Sequence, residues 1–279
     1  MTLRPLPPPG RTRVMGILNL TPDSFSDGGR FSSTSEAVAA GVDMVADGAD
    51  VLDVGAVSTR PGASPVPPDE EWLRLEPVLR ELREAVEVPL SLDTTSSFVL
   101  ERALEIGVDL LNDVSALGED PALVDVARDA HLPIVLMHRR GTPEDMQNAP
   151  HYEDAPREVL EELLAAVRRA AEAGIPAERL LLDPGIGFGK RLEDNVALLG
   201  ALDHFTGSGF RTVLGCSRKA MLGSLSGQPV DHREHATTAT TVMASLAGVD
   251  FVRVHDCRAA ADSLRVVEAV SVASESSRR

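Results

Sequence analysis

Eight short apolar runs recur along the chain, each followed by a stretch patterned for a helix. This alternation constrains the fold more than any other feature. The runs are RVMGILNL (13–20), DVLDVGAV (50–57), VPLSLDT (88–94), DLLNDVS (109–115), PIVLMH (133–138), RLLLDPG (179–185), RTVLGCS (211–217) and DFVRVHD (250–256). Helical spacing is clearest over 35–49, 97–107, 156–174, 235–248 and 258–272. The runs are near-continuous in apolar side chains, as in parallel strands covered on both faces. Gly48, Gly107, Gly174 and Gly248 close four of the helical patterns, where a left-handed C-cap is expected. Eight β–α units without a composition break predict an α/β fold, a single (β/α)8 TIM barrel over 13–272. A Pro-rich lead-in, 1–12, is expected to be flexible, and 273–279 form a tail. The rival, a doubly wound open sheet, wants G-x-G-x-x-G after its first strand, and NLTPDSFSDGG does not match it.

Composition narrows the partners. The formal net charge of −16 argues against nucleic acid and against an anionic membrane surface. An anionic substrate would therefore need a local positive island. Aromatic residues make up only 3%, so the core must be Ala, Val, Leu and Ile. Cys216 and Cys257 form neither a metal spacing nor a disulfide framework, as for two reduced thiols. MTLRPLPPPGR lacks an apolar core of signal-peptide length, and the expected location is the cytoplasm.

The polar residues gather at the strand ends. In order they are Asn19; the STRPG loop after strand 2; Asp93 and Thr94; Asn112 and Asp113; His138; Asp183; Ser217, Arg218 and Lys219; then Arg253, His255 and Asp256. In a parallel barrel these ends form one face, where such enzymes place their sites. A single strand-end Asp reads as a helix N-cap; eight strands out of eight read as a binding face. Asp53 interrupts the second strand and is expected to point inward near Asn19, with a salt-bridged structural acid as the other reading. Arg253 and His255 alternate with Val252 and Val254, so both face the barrel mouth, where an oxyanion is the natural partner. The competing reading is a buried Arg held by Asp256. Lys190 and Lys219 are the only lysines among 27 basic residues. Lys219, at the strand end, points to function, whereas Lys190 is balanced between function and a solvated loop. Phe25 and Phe188 sit in Gly-flanked loops and could cover a flat ligand or merely anchor the loops.

VMGILNLTPDSFSDGG, STRPGA, SLDT, NDVS, MHRRGTPEDMQ, LDPGIGFGK, GCSRK and RVHD, in that order, resemble the successive signatures of the dihydropteroate synthase family. The resemblance implies a pterin-binding TIM barrel, typically a homodimer. It implies condensation of 6-hydroxymethyl-7,8-dihydropterin diphosphate with 4-aminobenzoate, releasing pyrophosphate in folate synthesis by a dissociative route assisted by Mg²⁺. Matching motif to motif puts the pterin on Asp93, Asn112, Asp183 and Lys219. The diphosphate falls on Arg253 and His255, with the metal at Asn19. Aminobenzoate falls on Thr59, Arg60, Pro61, Phe188, Ser217 and Lys219. Catalysis then rests on Arg253, His255, Lys219 and Asp93. Two departures stand out: Ala56–Val57 replaces the family's Gly-Glu, and Arg139–Arg140 replaces a common Met–Gln. A pterin-binding paralogue with weak or no synthase activity and a pterin-dependent methyltransferase remain open.

Overall fold

The computed structural model describes residues 3–20, 33–59 and 62–276. Among these, eight parallel strands close a barrel in strict sequence order, β1 through β8 and back to β1. They are Arg13–Asn19, Val51–Gly55, Leu90–Asp93, Leu110–Asp113, Ile134–Met137, Leu180–Asp183, Arg211–Leu214 and Phe251–Val254. Ten α-helices interleave: α1 Thr34–Ala46, α2 Pro68–Ala85, α3 Ser97–Ile106, α4 Pro121–Asp129, α5 Ala155–Glu172, α6 Leu192–Gly200, α7 Leu202–Thr206, α8 Ala220–Ser226, α9 Glu234–Leu246 and α10 Cys257–Ser276. The chain is thus the (β/α)8 barrel expected from the alternation. Local chemistry sets the helix ends. Ser96 caps α3 by accepting the Val99 N–H, and Gly107 ends it at φ +112°, a conformation that a side chain would strain.

Period two divides each strand between two cores. Leu18, Leu52, Val54, Leu92, Leu136, Leu182 and Val252 face outward into a large apolar cluster with the helices. Met15, Val51, Leu110, Val135, Leu181, Val213 and Phe251 face inward and fill the barrel floor. Two residues further along the same strands stand Ile17, Asp53, Asn112, Met137, Asp183, Gly215 and Arg253. The inner side therefore turns polar at four of these seven positions, Asp53, Asn112, Asp183 and Arg253, toward the C-terminal ends.

The Pro-rich segment crosses beneath this floor. Leu6 packs against the inner cluster. The Arg4 N–H donates to Asp109 Oδ1 at 2.7 Å, and the Arg211 guanidinium reaches the Pro7 carbonyl at 3.0 Å. Asp109 also accepts from Arg83 and from the Leu90 N–H, so one buried carboxylate ties the lead-in, α2 and β3 together.

Candidate functional site

Asp53 is the hub of the polar layer. Its side chain is fully buried. Oδ1 accepts from Ser91 Oγ at 2.5 Å, and Oδ2 accepts from Asn112 Nδ2 at 3.0 Å and from Arg253 Nε at 2.6 Å. Arg253 Nη2 donates to Asp93 Oδ2 at 2.7 Å. One guanidinium from β8 therefore bridges carboxylates from β2 and β3. Both readings of Asp53 meet here: it points inward, and it is salt-bridged. The acid expected as an alternative partner of Arg253, Asp256, instead caps α10 by accepting the Ala259 N–H at 2.9 Å. Burial works against the Arg253 cation, but Asp53 and Asp93 prevail and hold its pKa above the ordinary value. Burial pushes the Asp93 carboxyl up; Arg253 opposes this, while Asp53, Glu71 and Asp113 reinforce it.

Asp183 and Lys219 stand on the next side of the mouth. Asp183 Oδ1 accepts the Gly185 N–H at 2.7 Å, which fixes the carboxylate at the end of β6. A side chain at Gly215 would come to 3.7 Å from Lys219 Nζ, 3.8 Å from Asp183 Oδ2 and 3.9 Å from Arg253 Cβ. Glycine thus leaves open the space on which these three residues converge. Lys219 Nζ donates to the Ile186 carbonyl and lies 4.6 Å from the centre of the Phe188 ring. Burial drives the acid and the base of this pair toward neutrality, raising Asp183 and lowering Lys219, and each charge opposes the shift of the other. Ser217 Oγ accepts the His255 N–H at 3.2 Å and lies 2.9 Å from His255 Nδ1. Oγ keeps a second lone pair after accepting that amide, so the donor between Oγ and Nδ1 follows the tautomer of the His255 ring.

The remaining strand-end residues divide. Thr59 lies just beyond β2. Asn19 ends β1 opposite Gly55. Arg60, Pro61 and Phe25 lie outside the described residues. Asp113 turns away from Asn112 and holds the following turn, accepting from the Ser115 N–H at 2.8 Å and from Ser115 Oγ at 2.7 Å. Lys190 is on no solvated loop: it is 3% exposed, and its ammonium is enclosed by His138 Nδ1 and the carbonyls of Gly185 and Phe188. Ala56, at the departure from the family pattern, is fully buried, and Arg74 of α2 donates to its carbonyl at 3.0 Å.

Glu71 escaped sequence reasoning, because it reads as one more acid in the first turn of α2. It is 4% exposed, and its Oε1 has no hydrogen-bond partner among the described residues. Burial pushes its carboxyl up to about 7, with the Thr94 hydroxyl and Arg74 opposing. A raised acid keeps its proton in the folded state after the unfolded chain has lost it. Its penalty is absent below the model value of 4.5, grows as pH rises, and is complete above about 7. Glu71→Gln should therefore raise the melting temperature at pH 8, recovering up to about 3 kcal/mol, and leave it nearly unchanged at pH 4.5. Equal melting shifts at both pH values would refute the assignment.

A (β/α)8 barrel with a buried cation–carboxylate layer at its C-terminal mouth is the class of protein these elements define. The chain belongs to the family of pterin-binding enzymes, whose family model it matches over residues 15–255. It is 43% identical over 266 residues to the dihydropteroate synthase of Neisseria meningitidis serogroup C, covering 94% of each chain. The dihydropteroate synthase of Yersinia pestis, solved in a sulfonamide drug complex, superposes with a TM-score of 0.90 at 38% identity, covering 94% of this chain and 95% of that one. That of Xanthomonas albilineans, solved with 4-aminobenzoic acid, gives a TM-score of 0.88 at 43% identity over 94% and 93%.

Proposed function

We propose that this chain is a dihydropteroate synthase, joining 4-aminobenzoate to 6-hydroxymethyl-7,8-dihydropterin diphosphate with release of pyrophosphate. The observation that carries the reading is the convergence of Asp183, Lys219 and Arg253 on the opening beside Gly215, in a chain matched over 94% of its length by such synthases. A pterin's pyrimidine edge presents adjacent N–H donors. Asp183, fixed through Oδ1 by the Gly185 N–H, offers Oδ2 toward that opening as a charge-assisted acceptor. Asn112 and Asp93 face the remaining ring positions, and each donor left unpaired would cost about 1–3 kcal/mol.

At the other end of the substrate, Arg253 and His255 receive the diphosphate. The C–O bond to the exocyclic methylene breaks, and its electron pair leaves with the diphosphate. The resulting cation is delocalised into the dihydropterin ring. The aminobenzoate nitrogen then forms the C–N bond, and its surplus proton passes to solvent or to the departing pyrophosphate. No protein nucleophile is required. Phe188, Ser217, Thr59, Arg60, Pro61 and Lys219 form the aminobenzoate side of this proposal. The Asn19 amide oxygen is a hard donor. It suits a Mg²⁺ held chiefly by substrate oxygens and water, since the described residues contain no cluster of three or more acidic, His or Cys ligands. Bound there, the metal would neutralise charge on the leaving diphosphate.

Incubation with both substrates, with and without Mg²⁺, should yield a product with the mass of dihydropteroate only when substrates and metal are all present. Methyl transfer, or ligand protection against unfolding without product, would favour the methyltransferase or carrier reading. A cytoplasmic homodimer completes the proposal. Exposed apolar side chains at Met243 and Leu246 of α9, and at Val266 and Val270 of α10, suit a protein contact, which sedimentation reads as a doubled mass.

A further inference from the structure

A polar chain runs from the surface of α5 inward to the loop that carries Phe188, and it uses Arg140, one of the four residues at which the chain departs from the family pattern. Arg140 donates through Nε to Glu162 Oε1 at 3.0 Å and through Nη2 to Glu158 at 2.8 Å, with its guanidinium 4.0 Å over the Tyr152 ring. Glu162 Oε2 lies 2.9 Å from His138 Nε2. His138 Nδ1 lies 2.9 Å from Lys190 Nζ, which also donates to the carbonyls of Gly185 at 2.9 Å and Phe188 at 3.0 Å. An ammonium has three hydrogens, and these are its three nearest acceptors. Burial pushes Lys190 well below its ordinary value; with Lys190 charged, the pattern calls for a neutral His138 with its proton on Nε2, donated to the Glu162 carboxylate. Burial and the Lys190 charge lower His138 to about 4, so the ring is neutral near pH 7.

The loop fastened this way is the one facing Lys219. Gly185 and Phe188 bracket Ile186, whose carbonyl takes Lys219 Nζ, and the Phe188 ring lies beneath the same ammonium. The loop has no slack against β5. A side chain at Gly185 would overlap the His138 carbonyl, and one at Gly189 would overlap that of Arg140. Tyr152, under Arg140, donates from its hydroxyl to the Gly189 carbonyl at 2.9 Å.

We propose that Glu162 is a positioning residue for the aminobenzoate side of the site, acting through His138 and Lys190 on the loop that carries Phe188, and that Arg140 fixes Glu162 for this task. The inference rests on the synthase reading for the identity of the ligand. Glu162 is 44% exposed, so its replacement leaves no buried charge behind at its own position. The charges around Lys190 are Lys219 and Arg140, which disfavour its cation, and Asp183 and Glu162, which favour it against strong desolvation. Neutralising Glu162 therefore lets Lys190 lose its proton at lower pH.

The test compares Glu162→Ala, Glu162→Gln and Arg140→Gln with the full-length parent in steady-state assays and in calorimetric titration with 4-aminobenzoate. Glu162→Ala should raise KM for aminobenzoate about three- to tenfold, the scale of one lost hydrogen bond, with KM for the dihydropterin diphosphate unchanged. Glu162→Gln, which still accepts from His138, should recover most of that loss near pH 7. Its alkaline rise in aminobenzoate KM should begin at lower pH than in the parent. Unchanged aminobenzoate KM and Kd in Glu162→Ala, or a proportional loss of both KM values and kcat tracking a lowered melting temperature, would overturn the proposal. A parent that binds aminobenzoate but forms no dihydropteroate would count against the synthase reading alone, with the Kd ratios still deciding the relay.

Discussion

Arg253→Ala should reduce kcat/KM for dihydropteroate formation by about 10²–10³, the loss seen when one preorganised donor to developing negative charge is removed. The guanidinium also neutralises two acids, Asp53 at 2.6 Å and Asp93 at 2.7 Å. Its removal leaves a fully buried Asp53 without its cation, so a destabilisation of about 3–5 kcal/mol is expected as well. The two effects separate in the double variant Arg253→Ala/Asp53→Asn, which should regain melting temperature without regaining turnover. Near-parental turnover in either variant would remove Arg253 from the reaction and leave it a purely structural cation.

Lys219→Ala should cost a comparable 10²–10³-fold, about 3–4 kcal/mol of transition-state stabilisation, by removing the cation that the proposal sets beside both substrates. It carries a second signature. Lys219 is the largest influence opposing the burial that raises Asp183. Without it, Asp183 holds its proton to higher pH, and a protonated carboxyl no longer accepts two N–H donors. The acid limb of the pH profile of kcat/KM should therefore move to higher pH in the variant. Full activity, or an unmoved acid limb, would show that Lys219 and Asp183 do not share the pterin.

Much of this site is legible in the sequence because barrel topology converts chain position into spatial position. A residue at the end of a β-strand lies at the mouth whichever strand carries it, so Asp93, Asn112, Asp183 and Arg253 can be grouped before any distance is known. Period two likewise assigns Arg253 and His255 to one side of β8. Arg253's acid partners were less accessible. Asp256 lies only three residues along, but the partners are Asp53 and Asp93, 200 and 160 residues away. Nothing local distinguishes an Asp that caps a helix from one that crosses a barrel.

The lysines show the same boundary from the other side. Their scarcity marks Lys190 and Lys219 as unusual, yet composition treats them alike. One ammonium faces the space beside Gly215, and the other is closed off among carbonyls and His138. Glu162 carries no sequence mark, since acids are common in the exposed register of a helix; Glu71 shares the buried register of Leu75, Val78 and Leu82 but is masked by Asp69 and Glu70 beside it in the first turn. Periodicity, strand ends and motif order therefore determined the barrel, the face where the polar side chains gather and the family. The pairing of charges across the barrel, the burial that shifts Glu71 and Asp93, and the relay that seats Phe188 were decided by tertiary structure alone. Each depends on distance and desolvation between residues that the chain keeps far apart.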